Sequence, residues 1–168
     1  SEEYATNTDV KNAIIDKFDE EALVLTFMGH GATDLWSKVG VFSNSEAENL
    51  TNSKLPIVVA FNCENNYFYD PYKETKSLSE AFVFNENGGA VAFLGSSTLT
   101  TPTAQMKMAQ AFYSQLGSTT DKVYDGSTIG DVLLSAKNAV GDGEYTRDMI
   151  ESFSLIGDPS MPLPKKIF

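Results

Sequence analysis

The chain contains one cysteine and one histidine, and each follows a run of strand-forming apolar residues. Cys63 follows the segment 57–62, and His30 follows the segment 23–28 with a glycine on either side. Because parallel strands end at the same edge of an open α/β sheet, we expect both side chains at its carboxyl edge. A thiol with an imidazole nearby can attack an acyl carbon covalently. The pair therefore predicts a cysteine peptidase or a related acyl-transfer enzyme.

The glycine that follows the histidine suits such an attack. The tetrahedral oxyanion needs N–H donors that are fixed in place, and a residue without a Cβ lets the backbone approach a substrate closely. We predict that the N–H groups of Gly31 and Cys63 bind the oxyanion and that His30 acts as the acid and base. The alternative is structural, because a lone cysteine at a strand end is commonly an inert small apolar residue.

The charge balance limits the class of partner. With 12 Lys and Arg against 23 Asp and Glu, the formal net charge of −11 argues against nucleic acid or an anionic membrane surface. The acidic character is compatible with cationic substrates or with bound calcium. No apolar run reaches the ~18 residues of a membrane span, so no membrane insertion is expected. A single cysteine also excludes an internal disulfide.

Helical and strand patterns alternate along the 168 residues, which are long enough for one domain, 1–168. The predicted helices are 8–19, 43–50, 78–85, 102–116 and 128–140, and the predicted strands are 22–28, 57–62, 90–94 and 153–156. This alternation predicts an α/β fold, with a mostly parallel sheet of about four strands and helices on both faces.

Two further expectations concern these elements. In the helix from residue 102, the spacing of Met106, Ala109, Phe112 and Leu116 predicts the buried face, and Gly117 is expected to end the helix. A sheet of so few strands leaves edges that need a covering element or another strand. We expect that strand to come from an upstream half-domain or from a second copy of the chain.

Several motifs occur in an order that resembles one peptidase family. They are Phe27-Met28-Gly29-His30-Gly31 with Trp36, Cys63 with Phe68, Ser77-Leu78-Ser79-Glu80-Ala81-Phe82, Gly88-Gly89-Ala90-Val91-Ala92-Phe93-Leu94-Gly95-Ser96-Ser97, and Leu155-Ile156-Gly157-Asp158-Pro159-Ser160. Together they resemble the gingipain-type cysteine peptidases, peptidase family C25 of the caspase-like clan, over residues 22–163. Family members often have glycine where this chain has Asn66, and asparagine tolerates a positive φ, so we expect the turn to keep its shape.

The resemblance implies a caspase-like sandwich, here as the C-terminal half of a catalytic domain. It implies that Cys63 is the nucleophile, that His30 is the catalytic histidine and that Gly31 is an oxyanion donor. The segment 95–100 would form part of the wall of the pocket for the residue before the scissile bond. Its predicted substrate-binding residues are Gly95, Ser96, Ser97 and Thr98. The resemblance also implies a secreted or surface-attached bacterial protein and an upstream half that supplies an acidic partner for the histidine.

Three functions therefore compete at this point. The leading hypothesis is a cysteine endopeptidase that acts on peptide or protein substrates and needs no cofactor, with structural calcium left open. The main rival is a catalytically silent, peptidase-like scaffold or interaction module. A small ligand-binding or amidase-like α/β domain has only the fold class in its favour.

Overall fold

The computed structural model describes residues 6–20, 22–69, 71–72, 74–120, 127–143 and 146–163. In chain order its elements are α1 (Asn7–Asp19), β1 (Val24–Met28), β2 (Gly31–Ala32), β3 (Leu35–Trp36), β4 (Phe42–Ser43), α2 (Asn44–Glu48), β5 (Ile57–Phe61), α3 (Leu78–Val83), β6 (Ala92–Ser96), α4 (Pro102–Thr120), α5 (Ile129–Val140), α6 (Arg147–Ser152) and β7 (Phe153–Ile156).

The main sheet has four strands in the order β1-β5-β6-β7. The first three are parallel, and β7 runs antiparallel to β6. Strands β2, β3 and β4 form a separate, small antiparallel sheet that the sequence did not predict. The prediction of an α/β fold with a mostly parallel sheet of about four strands is confirmed. The assignment of residues 1–168 to a single domain stays a prediction.

Strand β5 lies at the centre of the molecule because both of its faces are covered. All five of its residues are buried, and their side chains alternate between two apolar clusters. The side chains of Ile57, Val59 and Phe61 pack with α4 and α5, whereas Val58 and Ala60 pack with the aromatic cluster beneath α1 and α3. An unbroken apolar run is what a parallel strand between two helical layers requires.

Capping explains where several helices begin. Ser77 and Glu80 form the predicted capping box at the start of α3, and Thr128 and Asp131 form one at the start of α5. A further capping box places Glu46 in the first turn of α2, where its carboxylate also pairs with Lys11 of α1 at 2.7 Å. Burial raises the pKa of Glu46, but hydrogen bonds from Lys11 and Ser43 outweigh it, so the pKa lies below its usual value.

The predicted buried face of α4 is partly wrong. Met106 is 49% exposed, whereas Ala109, Phe112 and Leu116 are buried as predicted. Ala104, Gln105 and Met108 are buried as well. The helix also continues past Gly117 to Thr120, since a glycine without a left-handed backbone does not by itself end a helix. The third predicted strand, 90–94, lies two residues further on, at Ala92–Ser96.

Candidate active site

The structure brings His30 and Cys63 to the same edge of the main sheet. Strands β1 and β5 are parallel neighbours, and their last residues, Met28 and Phe61, are paired in register. Each candidate residue therefore lies two positions beyond a paired strand end. The His30 side chain is exposed and Cys63 is half-buried. Their catalytic roles stay predictions, but both residues lie where an open sheet places its functional groups.

The sulfur of Cys63 is surrounded by groups from the segment that follows β6. The backbone N–H of Thr100 donates to Sγ at 3.4 Å, and the thiol lies 3.5 Å from the Thr100 carbonyl oxygen, to which it donates. The side-chain amide of Gln105 lies 4.0 Å from Sγ and donates to the Thr100 hydroxyl at 2.8 Å. Two N–H groups, one from the backbone of Thr100 and one from the Gln105 side chain, therefore face the sulfur.

The close packing around Gly31 leaves no space for a larger residue after the histidine. A Cβ at this position would lie 2.8 Å from the carbonyl oxygen of Cys63 and would collide with the side chain of Asn62. The chain after His30 thus packs directly against the chain at Cys63, which only glycine permits. Among the described residues, no acceptor takes the backbone N–H of Cys63, so that N–H is available to a ligand.

The turn that contains Cys63, residues 62–66 and hereafter the Cys63 turn, holds three buried asparagines: Asn62, Asn65 and Asn66. Asn66 does not adopt the positive φ that the family pattern led us to expect. The left-handed residue is Glu64, with φ 59°. The Asn66 amide instead donates to the carbonyl oxygen of Ser154 at 3.1 Å and to its hydroxyl at 2.8 Å, which joins the turn to β7.

Sequence reasoning did not identify these asparagines as structural residues of the site. Three asparagines within five residues of the candidate nucleophile were the available signal. In a loop so close to a buried strand, amide side chains can satisfy backbone groups that have no ladder partner. The composition alone read as an ordinary polar loop.

The predicted pocket wall lies beside the Cys63 turn, but its members differ in exposure. Gly95 and Ser96 belong to β6 and are buried, whereas Ser97 and Thr98 are half-buried. The carbonyl oxygen of Thr98 accepts the N–H of Glu64 at 3.2 Å, which links this segment to the turn. The substrate-binding role of these four residues stays a prediction.

Trp36 supports the hairpin that follows His30. Its ring is buried and stacks on Phe27 of β1, with 4.6 Å between the ring centroids and 7° between the planes. Gly31 pairs with Trp36 across β2 and β3, so the ring fixes the hairpin, hereafter the β2–β3 hairpin, to the sheet. The tryptophan therefore packs the β2–β3 hairpin against β1.

Within the described ranges, no group of three or more His, Cys, Asp or Glu residues is arranged to hold a metal ion. Structural calcium stays a prediction. A membrane-crossing helix, one both long and apolar enough, is not found among the described helices.

The architecture, a mostly parallel four-stranded sheet with helices on both faces, is that of the caspase-like α/β fold. The model of peptidase family C25 matches residues 1–164, and the chain belongs to that family. No curated protein matches the sequence.

Solved structures share the fold. The complex of Porphyromonas gingivalis RgpB pro- and mature domains is similar to this chain with a TM-score of 0.76 and 22% identity, over 94% of this chain and 38% of that one. The crystal structure of the Arg-specific cysteine proteinase gingipain R (RgpB) gives a TM-score of 0.78 and 22% identity, over 94% and 37%. A structure described as a protease gives a TM-score of 0.64 and 16% identity, over 88% and 37%. The chain thus spans less than two-fifths of the RgpB chains.

Proposed function

We propose that this chain carries the nucleophile and the acid–base residue of a cysteine endopeptidase. The observation that carries the proposal is the placement of His30 and Cys63 after paired ends of parallel strands, with Gly31 packed against the Cys63 turn. Membership of peptidase family C25 supplies the reaction class. The substrate class is a peptide or a protein.

In this mechanism, Cys63 attacks the carbonyl carbon of the scissile bond as a thiolate. A carbon–sulfur bond forms, and the oxyanion accepts hydrogen bonds from the N–H groups of Cys63 and Gly31. His30 then protonates the leaving amine as the carbon–nitrogen bond breaks. A water molecule, deprotonated by His30, attacks the thioester and releases the acid product and the thiolate.

The substrate would lie against the segment that follows β6. Of the four predicted substrate-binding residues, Ser97 and Thr98 are the two with accessible surface beside the Cys63 turn, so we assign to them the wall of the pocket. The RgpB relative is described as Arg-specific. A net charge of −11 would favour a basic residue in the substrate here as well.

The free edge of β1 is proposed to pair with a further strand. Within the described residues, β1 ends the sheet on one side and has β5 as its sole partner strand. Beside this edge lies an apolar cavity of about 130 Å³, lined by residues that include Ile14, Phe18, Leu25 and Trp36. Because the chain spans only 37–38% of the RgpB chains, we assign this edge to an upstream half of the same domain. By family membership, a secreted or cell-surface location is proposed for the whole protein.

One observation favours the silent scaffold as the second candidate. The His30 side chain makes no hydrogen bond to Cys63 or to any other described residue. A module that had lost its activity would not need to hold the imidazole near the thiol. The two hypotheses differ in the reactivity that they predict for the thiol.

Alkylation with iodoacetamide separates the two candidates, because Cys63 is the only thiol in the chain. A peptidase site predicts that Cys63 reacts faster at pH 6 to 7 than a small free thiol does, and that His30→Ala slows the reaction. Equal rates in the parent and in His30→Ala would favour the silent scaffold. Peptidase activity should rise when the upstream segment is restored, and full activity of a monomeric 1–168 chain would contradict the assignment of the β1 edge.

A further inference from the structure

Asn65 joins the two parts of the candidate site through one buried side chain. It is fully buried, and its amide donates to the carbonyl oxygens of Ala32, at 2.5 Å, and Leu35, at 3.2 Å. Both of those residues belong to the β2–β3 hairpin. The Oδ1 of Asn65 accepts a hydrogen bond from the amide of Asn62, the residue before Cys63.

The start of α3 bonds to the same two segments, the Cys63 turn and the loop between β2 and β3. The N–H of Ser79 donates to the backbone carbonyl of Asn65 at 3.1 Å, and the N–H of Leu78 donates to that of Thr33 at 2.8 Å. The first turn of a buried helix therefore anchors both the Cys63 turn and the loop between β2 and β3. Within the part of the chain that the structure describes, Asn65 is the residue whose side chain bonds to both segments.

The exposed imidazole has no comparable anchor of its own. Among the described residues, His30 makes one backbone contact of this kind, in which its carbonyl oxygen accepts the N–H of Ser37 at 2.7 Å. The position of its ring is therefore set by the backbone that leads into the β2–β3 hairpin. Proton transfer requires hydrogen-bond reach, and a displacement of about 1 Å can reduce a rate about 100-fold.

We propose that Asn65 is a positioning residue: it holds the backbone at His30, which leads into the β2–β3 hairpin, at a fixed position relative to Cys63. The proposal rests on the proposed function, since it assigns to Asn65 the alignment of that acid–base pair. Among the described residues, Asn65 makes no hydrogen bond to the sulfur or to the imidazole, so it acts through the hairpin backbone and the Asn62 side chain that it bonds.

A double-mutant cycle with iodoacetamide tests this alignment. If Asn65 acts through His30, Asn65→Ala slows alkylation, and the double variant with His30→Ala is within about twofold of His30→Ala alone. A double variant whose slowing equals the product of the two single effects would overturn the positioning role. Parent rates in His30→Ala would contradict the proposed function instead, whereas a slowed His30→Ala with an unaffected Asn65→Ala would contradict only the positioning role.

The single histidine supplies a second readout that does not depend on activity. One imidazole resonance in the proton NMR spectrum reports His30 alone, and we expect it to shift in Asn65→Ala. Asn65→Asp keeps the shape of the side chain and loses both amide donors, so it carries the same test if the alanine variant does not fold. An unmoved resonance in a folded Asn65 variant would overturn the proposal.

Asn52 provides the matched control. It is 3% exposed, its amide donates to the carbonyl oxygens of Lys54 and Gly89, and its Oδ1 accepts the N–H of Gly89. It therefore makes as many bonds as Asn65 does, but it precedes β5. Asn52→Ala should lower the melting temperature without changing the His30 resonance or the alkylation rate of the folded protein. Equal effects of the two substitutions on both readouts would reduce Asn65 to a general structural residue.

Discussion

The turns at the two ends of β5 both bury asparagine side chains, but they differ in how completely those side chains are hydrogen-bonded. Before the strand, the side chain of Asn52 has its donors and its acceptor fully bonded to neighbouring backbone. After the strand, Asn62 and Asn66 each bury an Oδ1 that has no hydrogen-bond partner among the described residues. The left-handed Glu64 lies in the same turn.

This difference is what the proposed function predicts for the carboxyl end of the strand. Buried acceptors without partners and a non-glycine residue in the left-handed region both lower stability, and they persist where the surroundings enforce them. The Cys63 turn combines these features with a glycine contact that leaves no space for a Cβ. In the turn before β5, the buried asparagine, Asn52, is instead fully bonded to backbone groups.

The largest effect is expected from Gly31→Ala, which would disrupt the close contact between Gly31 and the Cys63 turn at the carboxyl edge of the sheet. The new methyl group would meet the Cys63 carbonyl oxygen and the Asn62 side chain, so the His30 segment must move. We expect peptidase kcat/KM to fall about 100-fold or more, because displacements of about 1 Å have that consequence. Steady-state kinetics on a peptide substrate measures it.

Gly117→Ala is the matched control for this substitution. Gly117 lies within α4, and a Cβ there would meet no other atom within 4 Å. Alanine should raise the free energy of unfolding by up to about 1 kcal/mol through its helix propensity and leave kcat/KM unchanged. Comparable activity losses in both glycine variants would contradict a special role for the carboxyl edge.

A smaller effect is expected from Gln105→Leu, which removes one of the two N–H groups near the sulfur. Hydrogen bonds to charged groups contribute about 1.5–3 kcal/mol, so alkylation of Cys63 should slow roughly tenfold or more. The remaining donor, the backbone N–H of Thr100, keeps part of the stabilisation. Gln110→Leu, at an exposed position on the same helix, should leave the rate unchanged. Equal alkylation rates in these two variants would exclude Gln105 from the site.

The principal strands, and the positions of His30 and Cys63 after neighbouring strands, could be predicted because each follows from a local pattern. Strand β5 is an unbroken apolar run between polar segments, and a parallel neighbour brings its end beside that of β1. The two-residue strands β2, β3 and β4 could not be predicted, since they are too short to show a period. Their pairing depends on tertiary contacts: the Trp36 ring of β3 stacks on Phe27, and Asn65 donates to the carbonyl oxygens of Ala32 and Leu35.

Errors in the predicted core and turn have a related origin. The helical spacing of α4 allowed two neighbouring stripes, and only the position of the sheet decides that Met108 faces inward while Met106 is exposed. The family pattern drew attention to Asn66, yet the backbone turns at Glu64, where no residue preference indicates it. Tertiary contacts decided both outcomes.

The smallest effect is expected from Glu64→Gly, which tests the strain in the Cys63 turn directly. Glycine adopts a φ of 59° without the steric cost that a side chain carries, but it gains entropy in the unfolded chain. The two effects oppose each other, and a left-handed non-glycine residue costs about 1–3 kcal/mol, so we expect a net stabilisation of up to about 1 kcal/mol. Glu86→Gly, at an exposed glutamate without a positive φ, should be neutral or slightly destabilising. Urea unfolding of both variants measures the difference, and a Glu64→Gly variant less stable than Glu86→Gly would show that the turn after β5 stores no strain at this residue.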